Sequence, residues 1–86
     1  IHRNAMPVPG TGRGASVLVY EDSGIAAVLA ENILKNLVQL GFKDQGIVER
    51  PGLVVLRKTR MPAVLVEVGF IDNPVDNAFF DRNLML

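Results

Sequence analysis

Glu67 is the one charged residue in the apolar run from Ala63 to Phe70. The run has the composition of a buried strand, and open α/β sheets place their ligand crevices near the carboxyl ends of such strands. A carboxylate buried without a partner costs free energy, so Glu67 needs a cation, a metal or a catalytic role. Two interpretations stand side by side: a general base, or a structural ion pair with Arg57, Lys58 or Arg60.

His2 is the single histidine, and the chain has no cysteine. An isolated histidine is more often a surface or hydrogen-bonded side chain than a metal ligand. A catalytic zinc usually takes three protein ligands from His, Cys, Asp and Glu. If His2 binds a metal, we therefore expect most of its co-ligands in residues outside this sequence.

Two further stretches could bind an anion. Gly10-Thr11-Gly12-Arg13-Gly14 has the glycine content of a phosphate loop. Phosphate loops lead from a strand into a helix, however, and this stretch leads into the strand expected at Ala15. The basic residues 57–60 could hold an anionic substrate group, which makes Arg57 a candidate substrate-binding residue, or they could form a solvated turn.

A helix over about residues 23–40 is the clearest of the elements that must position these residues. Asp22 or Ser23 can accept from the free amides of its first turn, and Gly41 suits a left-handed C-terminal cap. Its apolar positions recur at i, i+3 or i+4 spacing: Ile25, Val28, Leu29, Ile33, Leu37 and Leu40.

Strands and a second helix complete the predicted elements. Residues 15–20 follow a loop rich in Gly and Pro and predict a strand. The runs 53–56 and 63–66 are continuously apolar, which predicts two strands that are covered on both faces. Only six residues connect them, too few for the crossover between adjacent parallel strands, so they should be antiparallel neighbours or lie apart in the sheet. Asn73-Pro74 supplies a cap and a first helical residue, so a helix runs from there to the chain end, with Asp76 near its positive start. This is the layout of an α/β domain.

Composition argues against several function classes. Nine Lys and Arg balance nine Asp and Glu, so the chain lacks the net charge that concentrates proteins on nucleic acid or anionic membranes. The longest apolar run without glycine, residues 25–30, is far shorter than the roughly 20 residues of a membrane helix.

The chain starts at Ile1 without a signal peptide and stops at Leu86 without a helix-ending residue, so we expect a piece of a larger domain.

Three stretches of the chain carry a family resemblance. They are residues 1–5 (Ile-His-Arg-Asn-Ala), residues 44–48 (Asp-Gln-Gly-Ile-Val) and the long stretch from Leu53 to Asn73. In this order they resemble the C-terminal half of the zinc-dependent N-acetylmuramoyl-L-alanine amidases, the amidase-3 family of bacterial and phage cell-wall hydrolases. The long third stretch makes the resemblance specific.

The resemblance implies roles for His2 and Glu67. His2 corresponds to a zinc ligand and Glu67 to the catalytic carboxylate of the family, with Zn²⁺ as cofactor. The implied reaction is hydrolysis of the amide between N-acetylmuramic acid and L-alanine in peptidoglycan, where zinc polarises the carbonyl and activates water and Glu67 takes and delivers the proton. The implied place of action is the cell envelope or outside the cell.

The resemblance also implies an architecture. We expect a mixed, mostly parallel sheet flanked by helices in three αβα layers, of which residues 1–86 are the C-terminal part of a single catalytic domain. The family's other His and Glu ligands precede this segment, so we expect the piece alone to be inactive and its missing N-terminal half to be a partner. Relatives more often have Arg and an aromatic residue at the positions of Gln45 and Val54, so the local groove contacts should differ.

Two other function classes stay open. A wall-binding module without catalysis should show an exposed aromatic row or repeats, and five aromatic residues without a repeat disfavour it. A catalytically inactive amidase-like interaction domain in the cell envelope is disfavoured by the presence of both His2 and Glu67.

Overall fold

The computed structural model describes residues 1–58 and 61–83. No helix of this described part has both the length and the apolar character needed to cross a bilayer. In chain order the elements are β1 (His2–Asn4), β2 (Ala15–Val19), α1 (Gly24–Gln39), β3 (Asp44–Glu49), α2 (Val54–Arg57), β4 (Leu65–Phe70) and α3 (Pro74–Asn83).

The strands form one mixed sheet in the order β1-β4-β2-β3. β1 is parallel to β4 and β2 is parallel to β3, whereas the two central strands, β4 and β2, are antiparallel. Two of the three neighbouring pairs are therefore parallel. The predicted α/β class, with a mixed, mostly parallel sheet flanked by helices, is confirmed.

The core lies between the sheet and the two long helices. Because side chains alternate between the faces of a strand, every second residue of β2 and of β4 enters it. Phe79 and Phe80 of α3 pack against it, and the Phe42 and Phe79 ring centroids lie 5.8 Å apart in an edge-to-face contact. The cluster of buried residues consists of Ala15, Val17, Val19, Ala30, Leu34, Leu37, Phe42, Val66 and Val68.

The helix predicted over residues 23–40 is confirmed, and its end is as predicted. Gly41 has a φ of +115°, the left-handed conformation of a C-terminal cap. A Cβ there would lie 2.6 Å from the Phe79 ring, so Gly41 also permits α3 to approach. At the start, Ser23 is the N-cap residue, but its side chain makes no capping hydrogen bond; its hydroxyl instead donates to Glu21 Oε2 at 3.3 Å.

The apolar face predicted for α1 is wrong in its first half. Ile25 and Val28 are 72% and 59% exposed, whereas the buried residues of the helix are Ala30, Leu34 and Leu37. Apolar residues cover more than one side of this helix, and the sheet covers only the side that contains Ala30 and Leu34. Spacing alone did not distinguish the two sides.

The strand predicted over residues 53–56 is wrong, because this segment is the one-turn helix α2. The Leu53 carbonyl accepts hydrogen bonds from the amides of Leu56 and Arg57 at 3.1 and 2.9 Å. Only Leu56 is buried, whereas Val54 and Val55 are 56% and 62% exposed. A short apolar run does not reveal its period, and here the run turns after Pro51-Gly52 instead of extending.

β3 is a strand that the sequence analysis did not predict. β3 pairs with β2 in parallel and lies at the edge of the sheet, with both of its ends exposed. Its polar residues Asp44, Gln45 and Glu49 and its Gly46 hid the alternation expected of a strand. An edge strand needs less apolar surface than a central one, so its sequence is less distinctive.

β4 and α3 confirm the last two predicted elements with shifted bounds. β4 covers residues 65–70 instead of 63–66, so Glu67 lies in the middle of the strand. Val66 and Val68 are buried on one face while Leu65 and Glu67 on the other are half-buried, so the strand is not equally covered on both faces. Asn73 Oδ1 caps α3 by accepting from the Val75 and Asp76 amides at 2.9 and 3.2 Å. Residues 84–86, at the end of the predicted helix, lie outside the described part.

Candidate active site

His2 and Glu67 are distant in the sequence but lie opposite each other in the sheet. The parallel ladder between β1 and β4 pairs His2 with Glu67, and the antiparallel ladder between β2 and β4 pairs Ser16 with Glu67. Residues paired across a ladder project from the same face, and neighbouring strands lie about 4.8 Å apart. His2, Glu67 and Ser16 thus form a polar row across three strands, with Glu67 in the middle.

One oxygen of the Glu67 carboxylate has no partner. Oε2 is buried and accepts no hydrogen bond from any group in the described part of the chain. Buried polar atoms are usually satisfied, and a lone carboxylate oxygen in a sheet is costly. Such an oxygen is suited to accept a proton or a hydrogen bond from a bound molecule.

The alternative interpretation of Glu67, a structural ion pair, finds no support among the described residues. Arg57 and Lys58 are both exposed, and neither donates a hydrogen bond to Oε2. The third candidate cation, Arg60, lies outside the described residues. Arg57 lies in the last turn of α2, and no hydrogen bond in residues 1–58 and 61–83 joins it to the polar row, so its substrate-binding role stays a prediction.

The polar row contains one residue of a type that commonly binds zinc. The His2 side chain is exposed, and an imidazole nitrogen is a zinc ligand. The Glu67 oxygen without a partner belongs to the residue paired with His2 and has the chemistry of a base. Within the described residues no group of three or more His, Asp and Glu side chains could hold a metal ion. His2 therefore fits one position in the ligand set of a zinc site, and the described residues do not supply the whole set.

Arg3 anchors the short strand that carries His2. Its side chain projects from the face opposite His2, where Nε donates to the Val68 carbonyl at 3.1 Å. The guanidinium carbon lies 4.3 Å from the centre of the Phe80 ring, a cation–π contact with α3. Because β1 has only three residues, these contacts supplement its ladder to β4.

Two polar residues near the site were not singled out from the sequence. Ser16 is 9% exposed and is the partner of Glu67 on β2; its signal is a hydroxyl inside the otherwise apolar run Ala15–Val19. Asp76 has no exposed surface, and its Oδ2 accepts from the amides of Gly14 and Phe70, both at 2.8 Å. The sequence placed Asp76 correctly at the start of α3 but gave no sign of its burial.

Comparisons with known proteins identify the family of the chain. The sequence profile of the N-acetylmuramoyl-L-alanine amidase family, amidase-3, matches residues 1–85. An uncharacterized protein of Clostridium perfringens is 42% identical over 64 residues, which are 73% of this chain and 19% of that protein. The endolysin of Bacillus phage SPP1 is 34% identical over 93 residues, covering all of this chain and 33% of the endolysin. The chain thus spans a third or less of these curated relatives.

A solved structure shares the fold. The catalytic domain of an endolysin targeting Clostridium difficile superposes with a TM-score of 0.82 at 31% identity, covering 93% of this chain and 42% of that one. The profile match spans all three stretches on which the resemblance rested. The chain belongs to the amidase-3 family of N-acetylmuramoyl-L-alanine amidases.

Proposed function

We propose that residues 1–86 are the C-terminal part of a single catalytic domain that hydrolyses the amide bond between N-acetylmuramic acid and L-alanine in peptidoglycan. The observation that supports this most directly is the pairing of His2 with Glu67, whose Oε2 is buried and has no partner among the described residues. Family membership supplies the substrate class, and the polar row supplies an imidazole and a free carboxylate oxygen in one place.

The residues present divide the work of amide hydrolysis between them. His2 would hold a Zn²⁺ ion together with ligands from the N-terminal half of the domain, and that ion would act as a Lewis acid on the amide carbonyl and on water. Glu67 accepts a proton from the attacking water while the oxygen of that water bonds to the carbonyl carbon. Glu67 then donates the proton to the nitrogen of L-alanine as the C–N bond breaks, which frees the stem peptide and restores the carboxylate.

The remaining contacts follow from the substrate. Peptidoglycan stem peptides carry carboxylates, and Arg57, exposed at the end of α2, could pair with one of them. A wall hydrolase of this kind would act in the cell envelope or outside the cell. The partner that completes the site is the N-terminal half of the domain.

The Glu67→Gln variant tests this proposal in the complete domain. The amide has the shape of the carboxylate but cannot accept the proton, so hydrolysis should fall by about two to four orders of magnitude. The fold should stay unchanged, because the amide has the same shape and Oε2 has no partner among the described residues. Zinc content should stay unchanged, because we assign the zinc to His2 and to ligands outside this chain. Release of L-alanine amino groups from purified peptidoglycan gives the rate, and a melting curve and a zinc count come from the same sample.

Glu31→Gln is the matched control, because Glu31 is exposed on α1 and the change in charge is the same. It should leave the rate unchanged. A structural ion pair predicts the reverse for Glu67→Gln: a loss of about 3–5 kcal/mol from the stranded cation, with activity falling only as far as folding does. A wild-type domain that binds peptidoglycan without cleaving it would instead favour the inactive, interaction-domain alternative.

A further inference from the structure

The ladder around Glu67 is interrupted by a bulge immediately after it. β1 pairs His2 with Glu67 and Asn4 with Phe70, so two steps along β1 match three steps along β4. The extra residue falls at Val68-Gly69, and Gly69 has a φ of +73°. On the other side, the described pairs of β2 with β4 end at Ser16 and Glu67. Bulges leave backbone groups unpaired and re-aim nearby side chains, so the register at Glu67 needs a further constraint.

Asp76 supplies a constraint at this break. Its Oδ2 accepts from the Phe70 amide, three residues after Glu67 on β4, and from the Gly14 amide, two residues before Ser16 on β2, each at 2.8 Å. One carboxylate oxygen thus joins the residue just before β2 to the last residue of β4, beyond the point where the described pairs of these strands stop. Hydrogen bonds from amides to a charged oxygen are among the stronger ones, and these two are buried.

The residues around Asp76 hold the start of α3 in place, whereas the second carboxylate oxygen, Oδ1, has no hydrogen-bond partner among the described residues. Asn73 caps α3 through Oδ1, and its Nδ2 donates to the Gly12 carbonyl at 2.9 Å. A Cβ at Gly69 would lie 3.0 Å from the Asp76 Cβ, so the bulge and the carboxylate are in close contact. The start of α3 is therefore held against both the loop before β2 and the end of β4.

We infer that Asp76 is a positioning residue for Glu67: by joining Gly14, just before β2, to Phe70, just after the bulge in β4, it holds β4 in the register that places Glu67 between His2 and Ser16. The effect of Asp76 on catalysis rests on the proposed function, whereas its effect on the strand register does not. It does not require Asp76 to touch substrate or metal.

The test compares Asp76→Ala and Asp76→Asn in the complete domain. Alanine removes both hydrogen bonds, so we expect kcat to fall about tenfold to a hundredfold, the range that a misplacement near 1 Å produces, with KM within about twofold. The asparagine oxygen can accept from both amides, so Asp76→Asn should recover most of kcat. Cross-strand nuclear Overhauser contacts of Glu67 with His2 and with Ser16 should weaken in the alanine variant and persist in the asparagine variant.

Leu34→Ala is the control for a purely structural effect. Leu34 lies in α1, is 6% exposed and belongs to the buried core. Its apolar side chain makes no hydrogen bond to the bulge. At a temperature where every variant is folded, Leu34→Ala should lower the melting temperature and leave kcat and the Glu67 contacts unchanged. If Asp76→Ala does not fold, Asp76→Ser replaces it, because the shorter side chain keeps a polar group at the start of α3 but cannot bridge both strands.

The inference is overturned if the alanine or serine variant keeps the Glu67 contacts and behaves as Leu34→Ala does. It is also overturned if Asp76→Asn is as impaired as Asp76→Ala while folded. A wild-type domain without hydrolytic activity would contradict the proposed function alone, because the Overhauser contacts report the register without any turnover.

Discussion

His2 owes its place beside Glu67 to the pairing of β1 with β4. If it is a zinc ligand in the complete domain, His2→Ala should weaken zinc binding at least about 100-fold, because changing even the outer partners of a ligand costs 10–100-fold. Glu67→Gln serves as the comparison, since it changes the paired residue without removing the imidazole. Competitive titration of the metal-free variants with a chelator measures the affinity. Equal zinc affinities in wild type and His2→Ala would remove His2 from the ligand set.

The sequence indicated a special role for some residues of the site and not for others. Glu67 could be singled out because a charge inside an apolar run is a local signal, and His2 because it is the only histidine. Asp76 could not, because an acid near a helix start is ordinarily a solvated helix-dipole partner. Its burial depends on the Gly14 amide, which is 62 residues away in the chain. Polar groups whose partners are distant in sequence need the tertiary structure to identify them.

At the scale of the element, the bulge in β4 makes a prediction about Gly69. Its φ is +73°, and a Cβ would lie 3.0 Å from both the Asp76 Cβ and the Phe42 ring. Gly69→Ala should therefore destabilise the domain by about 2–4 kcal/mol, the sum of backbone strain and crowding. Denaturant unfolding at equilibrium gives the free energy.

Gly46→Ala is the matched control for this change. Gly46 also has a positive φ, +86°, but a Cβ there meets nothing within 4 Å. Its cost should be limited to the backbone part, about 1–2 kcal/mol. Equal costs at the two glycines would mean that the bulge tolerates a side chain and that its contact with Asp76 is loose.

The elements that were predicted correctly have end signals as well as a period. α1 has Gly41 and α3 has Asn73-Pro74, and both helices end or begin where those residues lie. The segment over residues 53–56 has only an apolar run, which suits a strand or a helical turn equally, and it proved to be the latter. β3 has neither a clean period nor an apolar run, and its pairing with β2 identifies it only in the fold.

At the scale of the whole molecule, two groups of large apolar residues remain on the surface. On α1, Ile25 and Val28 are 72% and 59% exposed; after it, Val54, Val55 and Met61 are 56%, 62% and 75% exposed. Exposed apolar residues that lie together usually mark a contact with another surface. The chain covers 42% of the endolysin catalytic domain that shares its fold, so we propose that further parts of the domain contact some of these residues.

The 86-residue chain by itself should therefore self-associate. Burying exposed apolar area is favourable and non-directional, so association should increase with concentration and weaken on cooling. Replacing Ile25 and Val28 with Lys should shift the chain toward monomer. Gln39→Lys adds charge at an exposed polar position of the same helix and should have little effect.

Sedimentation equilibrium over a concentration series measures the association, and circular dichroism checks that each variant retains its helix content. A wild-type chain that stays monomeric throughout, or a Gln39→Lys variant that dissociates as readily as the double variant, would show that the apolar side of α1 does not drive the contact.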